Sequence, residues 1–408
     1  MNHSTATFRS RFPALSQQVY GKQLVYFDNA ATSQKPDCVL EMQKTMTELC
    51  CANVHRAVHR LATDATELYT QGRLAAADFI GAPSPDEVIF TSGTTAAINL
   101  VASCFPRIFL KKGDKILISE AEHHSNLVPW QLACEIYGTE LVVAPVAEDG
   151  TLDMASYLRL LEDGVRLVAI AHVSNVLGVE NPLRQIIDAA HDAGAAVLVD
   201  GAQGIVHSNV DVRSLDCDFY AFSGHKIYAP TGIGILYGKR RYLDQMPPYM
   251  GGGDMVDRVS FEKTTYGPLP LKFEAGTQNI AAAACLAPAL KLAAEVRADA
   301  ELQANMDETD RLLAEQLATI EGLRCPSLGN PARRGIFSFC IDGVHPTDAA
   351  EIMDKMGVAV RTGFMCAEPL IRKYSQIGMM RASLMPYNTQ QEVAVFIDAL
   401  KRAVTMLR

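Results

Sequence analysis

Short runs of almost wholly apolar residues alternate along this chain with longer segments whose apolar positions recur every three or four residues. The runs are Val88-Ile89-Phe90, Lys115-Ile116-Leu117-Ile118, Glu140 to Ala144, Val165 to Val173, Ala196-Val197-Leu198-Val199, Phe219 to Phe222 and Gly232 to Tyr237. Strands covered on both faces read this way, because neither side meets water. Ala96 to Phe105, Asp153 to Leu161 and Pro182 to Ala193 carry helical spacing, and Gly194 stops the last of them. The alternation predicts an α/β fold whose mostly parallel sheet has helices on both faces.

The rhythm then changes. Met246 to Gln278 is rich in Gly and Pro and predicts a long functional loop. Helices are expected over Ala281 to Val296 and Ala300 to Ile320. Strand Ile336 to Ile341, helix Thr347 to Met356, strands Val358 to Arg361 and Met380 to Leu384 and a last helix follow, and Thr389-Gln390-Gln391-Glu392 supplies that helix with a capping box. At the amino end, about 20 mixed polar residues precede a short strand, Leu24 to Phe27, that runs into Asp28-Asn29-Ala30-Ala31-Thr32. The organisation predicted is a large domain over residues 21–279 and a smaller α+β domain over 280–408, joined by residues 1–20.

Length agrees with two domains, since 408 residues exceed the usual size of one core. A net charge of -9 argues against a nucleic-acid or anionic-membrane surface. The absence of a signal-like start and of an apolar run of about 18 residues argues against a membrane span and for the cytoplasm. The 10 cysteines are scattered with no Cys-x-x-Cys pair, which predicts neither a disulfide framework nor a structural metal, and makes most thiols small core residues.

Ligands of such sheets sit beyond the carboxyl ends of strands, and Thr95, His123, Asn175, Asp200 and Lys226 all follow strands. Lys226 closes Ser223-Gly224-His225-Lys226, where the turn can hold an amine as a Schiff-base lysine requires; a surface lysine is the plainer alternative. Asp200 ends a buried strand, and Gly93-Thr94-Thr95 opens a helix whose free N–H groups suit a phosphate. Amine, carboxylate and anion site are the three things pyridoxal phosphate needs. His55 and His59 have helical spacing but no third ligand nearby, so a substrate-facing or solvated loop is expected there rather than a metal. His123 suits either stacking on a heterocycle or a helix cap.

A second centre lies near the other end. Cys366, in Arg361-Thr362-Gly363-Phe364-Met365-Cys366-Ala367-Glu368-Pro369, occupies a loop that can reach outward where the other nine thiols mostly cannot; the alternative is a buried inert thiol. Arg381, on an otherwise apolar strand, needs an anionic partner, either a substrate carboxylate or a structural acid.

Taken together, Tyr26-Phe27-Asp28-Asn29-Ala30-Ala31-Thr32, Asn53-Val54-His55-Arg56, Thr91-Ser92-Gly93-Thr94-Thr95, His123-His124-Ser125-Asn126, Val199-Asp200-Gly201-Ala202-Gln203, Ser223-Gly224-His225-Lys226, Arg361-Thr362-Gly363 and Cys366 resemble the cysteine desulfurases of the class V aminotransferase superfamily, in the Suf-type branch that overlaps selenocysteine lyases. The resemblance implies fold-type I with a seven-stranded-type sheet, pyridoxal 5'-phosphate and a homodimer. It implies Lys226 as the Schiff-base lysine, Asp200 at the pyridine nitrogen, Gln203 at the phenolic oxygen and His123 against the ring. Thr94, Thr95, Ser223 and His225 would hold the phosphate, with Thr277 from a neighbouring subunit. Asn175, Arg361 and Arg381 would bind substrate. L-cysteine, or L-selenocysteine, would become alanine, with a persulfide on Cys366 passed to a SufE-like or SufU-like acceptor for iron–sulfur cluster assembly. The chain departs from the family's usual pattern at Phe364-Met365, at Gln278 and at Pro386. A C–S lyase is the neighbouring enzymatic alternative, and a non-catalytic sulfur-transfer partner the alternative of another class.

Overall fold

The computed structural model describes residues 5–55 and 58–408. Its centre is a seven-stranded sheet of β1 (Val88–Thr91), β2 (Lys115–Ser119), β3 (Glu140–Ala144), β4 (Val165–Ala171), β5 (Ala196–Asp200), β6 (Phe219–Ser223) and β7 (Gly234–Gly238), in the spatial order β1-β7-β6-β5-β4-β2-β3. β7 runs antiparallel to both its neighbours, and the other four pairings are parallel. The expected mostly parallel sheet is therefore present. β5, β6 and β7 are buried at every position, which is why their sequence shows no alternation.

Apolar clusters fill both faces of this sheet. One includes Phe90, Leu117, Val168, Val197 and Tyr220, and the other includes Ile89, Ile116, Leu167, Leu198 and Phe219. Successive residues of each strand thus serve opposite clusters, as the two-residue repeat of a strand demands. Helix α1 (Arg60–Phe79) packs on the first cluster through Ala65, Tyr69 and Ala76, and α2 (Thr94–Cys104) on the second through Ala97, Ile98 and Val101.

A third cluster belongs to a four-stranded antiparallel sheet of β8 (Leu323–Arg324), β9 (Ile336–Ile341), β10 (Arg361–Gly363) and β11 (Met379–Ser383), ordered β8-β9-β11-β10. The final helix, Gln390–Leu407, covers it and opens on the predicted capping box of Thr389 and Glu392. The expected single strand Val358 to Arg361 is two: Val358–Ala359 pairs in parallel with Val25–Tyr26, while Arg361–Gly363 joins β11. Periodicity cannot register a strand that changes sheets. The expected helix Ala281 to Val296 likewise divides at Cys285 into Ile280–Ala284 and α3 (Leu286–Ala298). The Gly- and Pro-rich segment carries an exposed hairpin, Val256–Val259 with Thr264–Tyr266, and Phe261 at its tip is fully exposed.

Arg56 of the Asn53–Arg60 motif lies outside the described residues. His59 caps α1 by accepting from the Ala62 N–H, and no group of metal-ligating side chains occurs among the described residues. No described helix is long and apolar enough to cross a membrane.

Candidate active site

Both sheets present chain ends to one cavity of about 480 Å³, lined by Thr94, Thr95, His123, Asn175, Asp200, Gln203, Ser223, His225, Lys226, Arg361, Cys366 and Arg381, among others. Twelve of the thirteen side chains singled out from sequence therefore meet in one place. Thr277 is the exception, exposed and away from this chain's own cavity. Ala30, Ala31, Ser125, Ala171, Val173, Ala202, Thr362 and Met365 complete the lining, and none was expected to be a site residue, because a small hydroxyl or an apolar residue carries no signal of its own.

At one end the β1–α2 turn meets the end of β6. Gly93 has φ 152°, a left-handed conformation that favours glycine. Thr94 follows, its N–H donating to Ser223 Oγ at 2.8 Å and its Oγ1 lying 2.7 Å from the same atom. A Cβ on Gly234 would stand 2.4 Å from Gly93 Cα, so β7 admits only glycine where it passes behind the turn. His225 stands beside this anion-shaped corner with a buried Nδ1 that has no partner, and burial pulls its pKa down to about 4, leaving the ring neutral. Lys35, which the sequence reading missed, donates from Nζ to His225 O at 2.9 Å and Ser33 O at 2.6 Å and so pins the turn before Lys226.

Burial brings the pKa of the Lys226 amine down to about 8, against the opposing pull of Asp200. Asp200 is buried, its Oδ1 accepts from the Ala202 N–H at 2.9 Å, and desolvation raises its pKa. His123 Nδ1 accepts from the Ser125 N–H at 3.0 Å, so the ring caps a short turn and faces the cavity at once. Burial, with Lys226 nearby, lowers its pKa to about 3.

The neighbouring imidazole does different work. The His124 backbone N–H donates to Cys366 O at 2.6 Å, and its Nε2 accepts from the Glu368 N–H at 3.1 Å. Asn175 Nδ2 donates to Met365 O at 2.8 Å. These bonds hold two successive non-glycine residues in the left-handed region, Met365 at φ 47° and Cys366 at φ 55°. Such backbone persists only where its surroundings fix it, and here the result is an exposed thiol at the mouth of the cavity. The thiol of Cys366 is therefore not buried. Cys51 is exposed too, and four more cysteines are partly so, which corrects the expectation that the others mostly cannot reach outward. Phe364 and Met365 face inward instead: Arg372 lies over the Phe364 ring at 4.9 Å, and Ser338 Oγ is 3.8 Å from Met365 Sδ.

Of the two anticipated partners of Arg381, a structural acid is present, Asp28. Nη1 donates to Asn175 O at 2.7 Å, Nη2 lies 3.5 Å from Asp28 Oδ1, and Nε is buried without a partner. Arg361 Nη2 holds the other oxygen of Asp28 at 2.7 Å. Gln203 donates from Nε2 to Ala30 O at 2.8 Å, while its Oε1, like Asn175 Oδ1, is buried and unpartnered. Buried polar atoms are nearly always satisfied. Unpartnered atoms of His225, Gln203, Asn175 and Arg381 around one cavity mark a place shaped for a polar ligand. An amine, a buried carboxylate, a helix N-terminus with hydroxyls and a guanidinium fit an aldehyde-bearing heterocyclic phosphate together with an amino acid.

The chain matches the family model described as Aminotransferase class-V over residues 25–396. It is 45% identical over 399 residues to a probable cysteine desulfurase of Vibrio cholerae, covering 98% of each chain. It is 43% identical to a cysteine desulfurase of Cronobacter sakazakii over the full length of both. Among solved structures, the cysteine desulfurase CsdA of Escherichia coli superposes with a TM-score of 0.90 at 38% identity over 99% of both chains. A cysteine desulfurase of Thermococcus onnurineus gives 0.89 at 36% identity, covering 97% of this chain and 98% of that one. With its seven-stranded sheet and full-length likeness to these proteins, the chain belongs to the aminotransferase class-V family.

Proposed function

We propose that this protein is a pyridoxal phosphate-dependent cysteine desulfurase that converts L-cysteine to L-alanine and carries the sulfur as a persulfide on Cys366. The observation that supports this reading above others is that an exposed cysteine and a largely enclosed lysine line one cavity although they come from different sheets. Thr94, Thr95, Ser223 and His225 would hold the phosphate, Asp200, Gln203 and His123 the ring, and Thr277 would serve the site of a neighbouring subunit in a homodimer. When bound there, pyridoxal phosphate supplies a carbonyl for the amine and a ring that accepts the electrons left by the substrate's α-proton.

The chain's residues do the rest. A Lys226 amine with a pKa of about 8 is partly neutral near physiological pH and can take a proton from the substrate's Cα. Asp200, buried on the cavity wall, would hold the ring nitrogen in its protonated form. Arg381, whose buried Nε–H has no partner, receives the substrate carboxylate with Arg361 beside it, and Asn175, whose free Oδ1 is an acceptor, takes a donor of the substrate. The Cys366 thiolate attacks the substrate sulfur: an S–S bond forms, the Cβ–S bond breaks, and its electron pair stays with the carbon fragment, which takes up protons and leaves as alanine. The second sulfur of Cys366 then waits for the thiol of an acceptor, SufE-like or SufU-like in the Suf-type reading, in the cytoplasm.

Alanine release from cysteine tests the division of labour. Cys366→Ala should lower it by at least about a hundredfold, because the nucleophile is gone. Undiminished alanine formation with free sulfide would instead identify a C–S lyase.

A further inference from the structure

A second cavity, of about 460 Å³, lies behind the Lys226 turn, on residues that the active cavity does not use. Its walls come from Ile227 and Tyr228, from the end of α3 and from α4 (Ala300–Ala318), and Ile227, Met306 and Met385 give an otherwise largely polar lining an apolar part. Four arginines line it, and three are spoken for. Arg311 bonds Glu308 and Glu315, Arg333 bonds Asp310 through both Nη atoms at 2.8 Å, and Arg334 bonds Glu180 at 2.8 Å.

The fourth is Arg297. Its single hydrogen bond among the described residues runs from Nη2 to Ile205 O at 2.6 Å, and its guanidinium lies over the Phe79 ring at 4.3 Å. No carboxylate pairs with it among the described residues, although a partly buried cation ordinarily has a counter-charge. Two further donors share the cavity: the His207 ring, which makes no hydrogen bond among the described residues, and Arg333 Nε, which is buried and unpartnered. Burial keeps His207 neutral, lowering its pKa to about 4. The acids on the lining, Asp307 and Asp310, set a limit on negative charge. One uncompensated guanidinium beside two carboxylates suits a single negative charge, not a phosphate dianion or a dicarboxylate.

We propose that this cavity is a binding site for a small monocarboxylate with an apolar body, anchored by Arg297 and seated against Ile227 and Tyr228. The planar guanidinium offers the paired donors that a carboxylate accepts, and the apolar wall takes the hydrocarbon. The inference does not depend on the chemistry proposed for the active cavity. Because Ile227 and Tyr228 follow Lys226 directly, an occupant would touch the segment that carries the lysine.

Calorimetric titration of the holoenzyme with 4-methylpentanoate tests this, with 4-methylpentanamide as the uncharged match. The acid should bind saturably and the amide at least about tenfold more weakly. Arg297→Gln should weaken the acid by a similar factor, and Met306→Trp, which fills the cavity from α4, should do the same if Arg297→Gln fails to fold. Equal binding by wild type and Arg297→Gln would put the acid elsewhere, including the active cavity, and overturn the proposal. Absence of saturable binding to the wild type would overturn it as well, and would mean that Phe79 and solvent suffice for Arg297.

Discussion

Each key side chain in the active cavity is set by its immediate surroundings, and His123 shows this most simply. Folded, it stays neutral down to about pH 3, whereas an unfolded chain protonates it near 6.5. Between those values the unfolded state binds more protons, so this group's contribution to stability falls as pH falls. Urea unfolding of cofactor-free wild type and His123→Gln, from about pH 7.5 to about pH 4.5, should show a constant difference above 6.5 and a growing deficit of the wild type below it. Parallel curves throughout would contradict the assignment. Lys226, Asp200 and Thr94 were legible because each ends a buried strand or opens a helix, which is a local pattern. Asp28 was not, since its two arginine partners lie more than three hundred residues later and only the fold joins them. Lys35 was missed for the same reason: its bond to His225 is set by the packing of two distant turns.

At the scale of elements, close approach decides more than propensity does. Gly234 lets β7 run behind the β1–α2 turn, so Gly234→Ala must push that turn outward. Equilibrium dialysis should show pyridoxal phosphate bound at least about tenfold more weakly by this variant, because the helix N-terminus is displaced from its hydroxyl partner Ser223. Unchanged affinity would mean that the turn is not the phosphate corner. Glu274 fastens the segment leading to Thr277: its two oxygens accept from both Arg73 Nη atoms, at 2.7 and 2.8 Å, and from Tyr69 OH and the Phe90 N–H. Glu274→Ala leaves a buried guanidinium uncompensated and should cost roughly 3–5 kcal/mol in chemical denaturation. The apolar runs announced all seven strands of the main sheet, but the switch of sheets after Ala359 and the break at Cys285 were invisible. Both depend on which neighbour a strand or helix meets, a question that periodicity does not address.

For the molecule as a whole, the architecture divides the proposed chemistry between two sheets. The parallel sheet carries Lys226 and Asp200 at its strand ends, and the antiparallel sheet carries Cys366 and Arg381. They meet because His124, next to His123, is bonded to Cys366 O, and because Asn175 is bonded to Met365 O and Arg381. The thiol loop is thereby positioned from the main sheet, and Phe364 and Met365 serve as packing beneath it. On the proposed chemistry, sulfur taken from cysteine at the lysine ends on this one thiol. Peptide-mapping mass spectrometry after brief incubation with L-cysteine measures it directly. Wild type should gain one sulfur on the Cys366 peptide, and Cys366→Ala and Lys226→Ala should gain none. No gain on Cys366 in active wild type, or sulfur on exposed Cys51 instead, would contradict it.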